Sequence, residues 1–202
     1  LEGEFFCTKE YSIYKNKNRL DELKAKYLEK YKNEVFDNLF KIKKMHNKFR
    51  CTKSNAEVIL DIDLSIEKSN SYIASVAKDA IESLWKNTSF SIRVNVVEKK
   101  TENSINLINL KNGLSYVNSV ASKDLNVAEN LSEMNLYQTI GHEFGHILGF
   151  PDCYIEFFDS SKNELIYYEL SAKNRNIMCG IKNNSKVLDS YLEEIIQKSC
   201  IF

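Results

Sequence analysis

His142 and His146 stand four residues apart with Glu143 directly after the first, in the run His142-Glu143-Phe144-Gly145-His146-Ile147-Leu148-Gly149-Phe150-Pro151-Asp152. On a helix this spacing projects both imidazoles from one face, where they can share a zinc ion at about 2.0–2.1 Å. Glu143 then lies beside them as a base able to take a proton from a zinc-bound water. Gly149 stands three residues past His146, where a residue that tolerates positive φ ends a helix and turns the chain sharply. Pro151, the only proline of the chain, prevents the helix from resuming. The turn thus returns Asp152 toward the imidazoles as a third ligand, leaving one tetrahedral position for water, as in a catalytic rather than a structural zinc site. The bland alternative is two unrelated helix histidines. Only three histidines occur in 202 residues, and at that composition the spacing arises by chance on the order of once in a few hundred.

The elements that must hold these residues are legible as hydrophobic periodicities. Met134, Leu136, Tyr137, Ile140, Phe144, Ile147 and Leu148 recur at intervals of three and four, which anchors the histidine-bearing helix in a core. Upstream, Val58, Leu60, Ile62, Leu64 and Ile66 alternate as a strand, as do Phe90, Ile92, Val94 and Val96. Between them Tyr72, Ile73, Val76, Ala80, Ile81, Leu84 and Trp85 mark a helix, giving a strand-helix-strand unit. Ile105 to Leu110 and Leu114 to Val120 predict short strands, followed by polar chain up to the zinc helix. A final helix is expected from Val187, Leu188, Tyr191, Leu192, Ile195 and Ile196. The pattern supports a mixed α+β domain. Asp61 and Asp63 read as solvated acids of one strand face rather than a calcium site.

At 142–152 the chain resembles the metzincin clan of zinc endopeptidases, whose extended motif is HExxHxxGxx followed by histidine or, in a minority including the snapalysin-like enzymes, aspartate. Asp152 matches the minority form. The resemblance covers roughly residues 54–202. It implies a mixed twisted sheet with a backing helix, a central zinc-binding helix and a small C-terminal subdomain, with one Zn2+ per chain on His142, His146 and Asp152. It also implies that Met178, in Asn176-Ile177-Met178-Cys179-Gly180, lies in a tight turn beneath the metal. Gly113, Leu114, Ser115, Tyr116 and Val117 resemble the edge strand that runs antiparallel to bound substrate in such enzymes. No tyrosine follows Met178 closely, so the additional tyrosine ligand of some metzincins has no counterpart. In a fold of this kind Cys153 and Cys179 lie in neighbouring loops, and the expectations are a bridge between them or two buried free thiols. Cys7, Cys51 and Cys200 then supply a second pair or a thiol that reaches the zinc and blocks it.

Composition limits the alternatives. A chain of 202 residues with 43% hydrophobic content can bury the core of one domain, and it contains no apolar run of about 18 residues to span a membrane. The net charge of zero argues against a nucleic-acid partner. Residues 1–53 carry 14 basic against 8 acidic side chains, a net of +6, and 54–202 carry the balancing −6. In the first segment Leu20, Leu23, Tyr27, Tyr31, Val35, Leu39, Ile42 and Phe49 form a helical stripe among lysines. The expected organisation is therefore a basic helical segment 1–53, read as a structural extension, a pro-segment or a docking element for a protein partner, before a catalytic domain 54–202. The opening residues Leu1 to Phe6 have neither an initiating methionine nor a signal-peptide pattern, which reads as a processed or truncated product, and cysteine usage points to secretion. The function expected is hydrolysis of a peptide or protein substrate by a zinc metalloendopeptidase. Two alternatives remain: a zinc enzyme of another class whose third ligand is Glu156, Glu164 or Glu169, and a latent or non-catalytic zinc-binding module that presents the basic helix to a partner.

Overall fold

The computed structural model describes residues 12–23, 25–26, 40–44, 49–54, 56–119, 122–159, 164–169, 175–180 and 184–200, with backbone only for 155–159 and 164–169. The chain divides into two compact units, Leu1–Leu39 and Phe40–Phe202. In the first, residues 12–16 and 20–23 are helical. The Arg19 guanidinium forks onto the Glu22 carboxylate and lies 5.9 Å from the centre of the Tyr14 ring. Tyr27, Tyr31, Val35 and Leu39 of the expected helical stripe lie outside the described residues.

The second unit is of the α+β class that the hydrophobic pattern predicts. Its six-stranded sheet is built from β1 (Arg50–Ser54), β2 (Glu57–Lys68), β3 (Phe90–Val97), β4 (Ile105–Leu110), β5 (Tyr116–Val117) and β6 (Asp124–Ala128). Long β2 is the organiser. It pairs in parallel with β3, antiparallel with β1 through residues 57–61, and in parallel with β4 from Leu64 onward. The order then runs β4-β6-β5, with β6 parallel to β4 and the two-residue β5 closing the edge antiparallel to β6. Helix α1 (Ser71–Leu84), capped by the Asn70 side chain on the Ile73 amide, packs against β3 and against the central helix α2 (Glu133–Leu148). Helix α3 (Asp189–Ser199) closes the chain.

Strand alternation sorts the sheet into two faces. Val58, Leu60, Ile62, Leu64, Ile92 and Val94 are buried with Ala74, Ala77 and Ile81 of α1. The opposite face of β2 is polar. Asp61 receives Arg93 at 2.7 Å, with Arg50 at 3.6 Å, and Asp63 accepts from Asn95. Guanidinium groups therefore supply the positive charge at Asp61.

Three elements went unread in the sequence. Strand β1 lies before the composition change at residue 54, and belongs to the sheet because its register with β2 runs from Arg50↔Asp61 to Ser54↔Glu57. Strand β6 sits in the chain read as polar, and its Leu125, Val127 and Ala128 are buried although Asp124 and Asn126 alternate with them. The hairpin β7 (Tyr154–Asp159) and β8 (Glu164–Glu169) follows directly on the turn that ends α2. Conversely, the strand expected over Leu114 to Val120 is only Tyr116–Val117.

A disulfide joins Cys51 in β1 to Cys200 just after α3, across 149 residues of sequence. Closing a loop of that size removes much of the freedom of the unfolded chain. The Cys51→Ser/Cys200→Ser double variant is expected to lose about 2–5 kcal/mol of stability in urea unfolding, and an unchanged midpoint and slope would show that the bridge does not restrain the unfolded state.

Candidate metal centre

Helix α2 ends as the sequence predicts, and the way it ends builds half of the site. Gly149 adopts φ 107°, its amide donates to the His146 carbonyl at 3.0 Å, and the Phe150 amide donates to the Gly145 carbonyl at 3.0 Å. This paired closure is the Schellman pattern, which requires the left-handed residue where glycine stands. A side chain there would also meet the Lys44 carbonyl, 2.5 Å from the position of a Cβ. The reversed chain then places the Phe150 carbonyl 2.8 Å from Nδ1 of His146 and carries Asp152 back to the histidines.

His142 is oriented from the other side. Its Nδ1 lies 2.8 Å from the carbonyl of Ile177, in the 3-10 turn Ile177–Cys179. A carbonyl can only accept, so both imidazoles carry their proton on Nδ1 and present Nε2 lone pairs inward. The two Nε2 atoms are 3.2 Å apart, and Oδ1 of Asp152 lies 3.2 Å from one and 3.3 Å from the other. Three electron-pair donors thus form a nearly equilateral triangle. A tetrahedral zinc ion with bonds of about 2.0 Å has its ligands about 3.3 Å apart. Without a cation the lone pairs would repel, and the buried Oδ1 of Asp152 has no ordinary hydrogen-bond donor. The residues therefore fit a metal ion, and among the described residues His142, His146 and Asp152 are the group of this kind.

The electrostatics follow the same geometry. Burial by itself would raise the Asp152 carboxyl, but the two adjacent imidazoles of His142 and His146 outweigh burial and hold it well below the usual carboxylate range. His146 is pushed up: burial opposes its charged form, and the Asp152 carboxylate together with the Phe150 carbonyl outweighs that effect. Glu143, 7% exposed, is raised chiefly by burial; His142, His146 and the Val117 amide partly oppose the rise.

Met178 lies under the helix. It is fully buried, and a Cβ on Gly145 would collide with its sulfur, so glycine at 145 is what lets the thioether approach α2. The Cys153 amide donates to the Met178 carbonyl at 2.9 Å, and a disulfide joins Cys153 to Cys179 with a Cα separation of 4.4 Å. The loop bearing Asp152 and the turn orienting His142 are thereby tied together. Of the remaining cysteines, Cys51 pairs with Cys200 and Cys7 lies outside the described residues.

The β5 region stands at the sheet edge beside this centre. The Ser115 hydroxyl accepts from the Ala128 amide, and Asn126 donates to the Tyr116 carbonyl. Leu114 and Tyr116 are exposed, and Gly113 adopts φ 114° with open space where a side chain would be. The backbone of the β7–β8 hairpin carries Glu156, Glu164 and Glu169, whose side chains lie outside the described residues.

Sequence reasoning missed the supports. Trp85 donates from Nε1 to the Gly141 carbonyl at 2.9 Å, and its ring meets Phe144 edge-on and stacks near Phe150. It appeared only as the last apolar residue of the α1 stripe. Asn176 and Tyr191 form a buried pair at 2.9 Å, and burial also pushes the Tyr191 phenol up despite the hydrogen bond from Asn176. The partners of a buried polar group come from distant parts of the chain, so periodicity gives no sign of them.

No protein-family model matches the chain, and no curated protein matches it. Among solved structures it is similar to myroilysin, at 17% identity and a TM-score of 0.47, over 70% of this chain and 93% of that one. At that level of likeness the chemistry rests on the residues of this chain.

Two outcomes are expected. His146→Ala and Asp152→Asn each remove one of three converging donors, so both should weaken zinc binding strongly in chelator competition, whereas Asp152→His supplies another donor and should recover part of it; zinc affinity unaltered in His146→Ala would refute the centre. Gly149→Ala, forced into positive φ, should lose on the order of 1–3 kcal/mol or more of stability in chemical unfolding.

Proposed function

We propose that this chain is a zinc-dependent endopeptidase of the metzincin kind, with His142, His146 and Asp152 as ligands. The observation that carries the reading is the triangle of three inward-facing donors at 3.2–3.3 Å with Glu143 next along the helix from the first of them. Two neutral imidazoles and one carboxylate leave a dipositive ion with net charge and an open position, which is the donor set of a hydrolytic rather than a structural zinc site. Bound there, zinc supplies Lewis acidity toward a water and toward the carbonyl of the scissile bond.

The residues of the chain supply the rest. Glu143 is not a member of the triangle, so its carboxylate is available to take a proton from the attacking water and return it to the departing amine. Glu143 is buried on α2 between the two ligand histidines in sequence. An extended peptide would align along the edge formed by Gly113, Leu114, Ser115, Tyr116 and Val117 through main-chain hydrogen bonds, with the exposed Leu114 and Tyr116 beside it. Met178 and the Cys153–Cys179 bridge form the floor. The second unit, Phe40–Phe202, would be the catalytic body, with the first unit, Leu1–Leu39, as an extension or pro-segment. Two disulfides suit an oxidising, extracytoplasmic setting, and among the described residues no helix is long and apolar enough to cross a membrane.

The test is a peptide-library cleavage assay on the zinc-loaded protein beside Glu143→Gln. The variant should keep wild-type zinc content and unfolding temperature while its turnover falls by about 10²–10⁴-fold or more. Turnover equal to wild type in Glu143→Gln would remove it as the base. A wild-type protein that binds zinc and cleaves no member of the library would favour the latent binding module instead.

A further inference from the structure

We infer that Asn176 is a positioning residue for the metal ligands, acting through the turn it begins and through the loop that carries Asp152; the inference rests on the metal reading above. Asn176 is 2% exposed, yet its amide is fully engaged. Its Oδ1 accepts from the Met178 amide at 3.0 Å, while Nδ2 donates to the Tyr191 hydroxyl at 2.9 Å and lies 3.4 Å from the Cys153 sulfur. A backbone amide can only donate, so the Met178 contact fixes which end of the side chain is oxygen and aims the NH2 group at Tyr191 and Cys153. The Asn176 carbonyl also accepts from the Cys179 amide at 3.0 Å, and the Ile177 amide donates to the Lys186 carbonyl at 3.0 Å.

Each bond bears on a different ligand. Closing the turn over Met178 holds the Ile177 carbonyl where it receives Nδ1 of His142, which sets the tautomer and the aim of Nε2. Contact with Cys153 reaches the peptide neighbour of Asp152, whose amide is already bound to the Met178 carbonyl. Tyr191, held by the same NH2 group, packs edge-on to Phe150 with ring centres 4.6 Å apart, and the Phe150 carbonyl orients His146. One buried side chain therefore connects the supports of all three donors, reaching partners 15 and 23 residues away in sequence. Leucine has a similar volume and none of these bonds. Phenylalanine at 191 removes only the hydroxyl and leaves the Met178 bond intact.

The experiment compares the full chain with Asn176→Leu, Tyr191→Phe and His146→Ala. Zinc dissociation constants come from chelator competition, the visible d–d spectrum from the Co2+-loaded protein, and the unfolding temperature from the metal-free form. Asn176→Leu is expected to weaken zinc binding by about 10–100-fold and to change the cobalt spectrum, because the ligands lose their aim; Tyr191→Phe should show a smaller loss in the same direction. A folded Asn176→Leu with wild-type zinc affinity and cobalt spectrum, changed only in unfolding temperature, would overturn the inference. If Asn176→Leu does not fold, wild-type affinity and spectrum in Tyr191→Phe would overturn it. His146→Ala separates the two levels: loss of zinc there alongside unaltered Asn176→Leu defeats this inference alone, whereas zinc retained in His146→Ala defeats the metal reading beneath it as well.

Discussion

Two imidazole nitrogens and a carboxylate oxygen face one another at 3.2–3.3 Å with their electron pairs directed inward, and most of the second unit can be read as the scaffold that this arrangement requires. Such a cluster is unfavourable in a protein interior unless a cation is shared among its members. The two histidines cannot turn away, because each Nδ1 is committed to a backbone carbonyl, one from the helix-ending turn and one from the turn above Met178. The aim of both imidazoles is therefore fixed by the backbone.

Rigidity of that kind has to be built from several directions. Along the helix, Trp85 anchors the Gly141 carbonyl one residue before His142, and Gly145 admits the Met178 sulfur between the two histidine positions. Below, the Cys153–Cys179 bridge and the Cys153 amide on Met178 join the two loops that supply Asp152 and the Ile177 carbonyl. From behind, Phe40 packs on Tyr191, Lys41 pairs with the buried Glu194, and the Lys43 amide donates to the Gly149 carbonyl. Residues 40–44, from the basic part of the sequence, thus brace the turn and α3. The positive charge there has a local use: Lys41, with the Ile42 amide, compensates the carboxylate of Glu194 that α3 buries.

Legibility followed range. The apolar periodicities of β2, α1, β3, β4 and α2 were plain because each buries one face or stripe, and a single period of two or 3.6 residues records that in the chain itself. Strand β6 escaped because Asp124 and Asn126 interrupt a short run that nonetheless lies inside the sheet, where Asp124 accepts from Asn106. Strand β1 escaped because its exposed, basic sequence has no periodicity of its own and is a strand only by pairing with β2. The hairpin β7–β8 escaped because its two strands form a separate sheet by pairing only with each other.

What the sequence by itself determined is the local chemistry: His142 and His146 on one helix face, Glu143 beside them, and a glycine at 149 where the chain must reverse. Those facts depend only on helix geometry and on the conformations that glycine and proline permit. Only the tertiary structure decided how far apart the donors lie, which nitrogen of each imidazole faces inward, and that Trp85, Asn176, Tyr191 and the Ile177 carbonyl do the aiming. The contacts between elements that do so span from 15 positions in the chain, Asn176 with Tyr191, to 56, Trp85 with Gly141. A hydrogen bond of that span is set by how helices and turns pack together, and a polar residue seen in sequence alone does not name its partner.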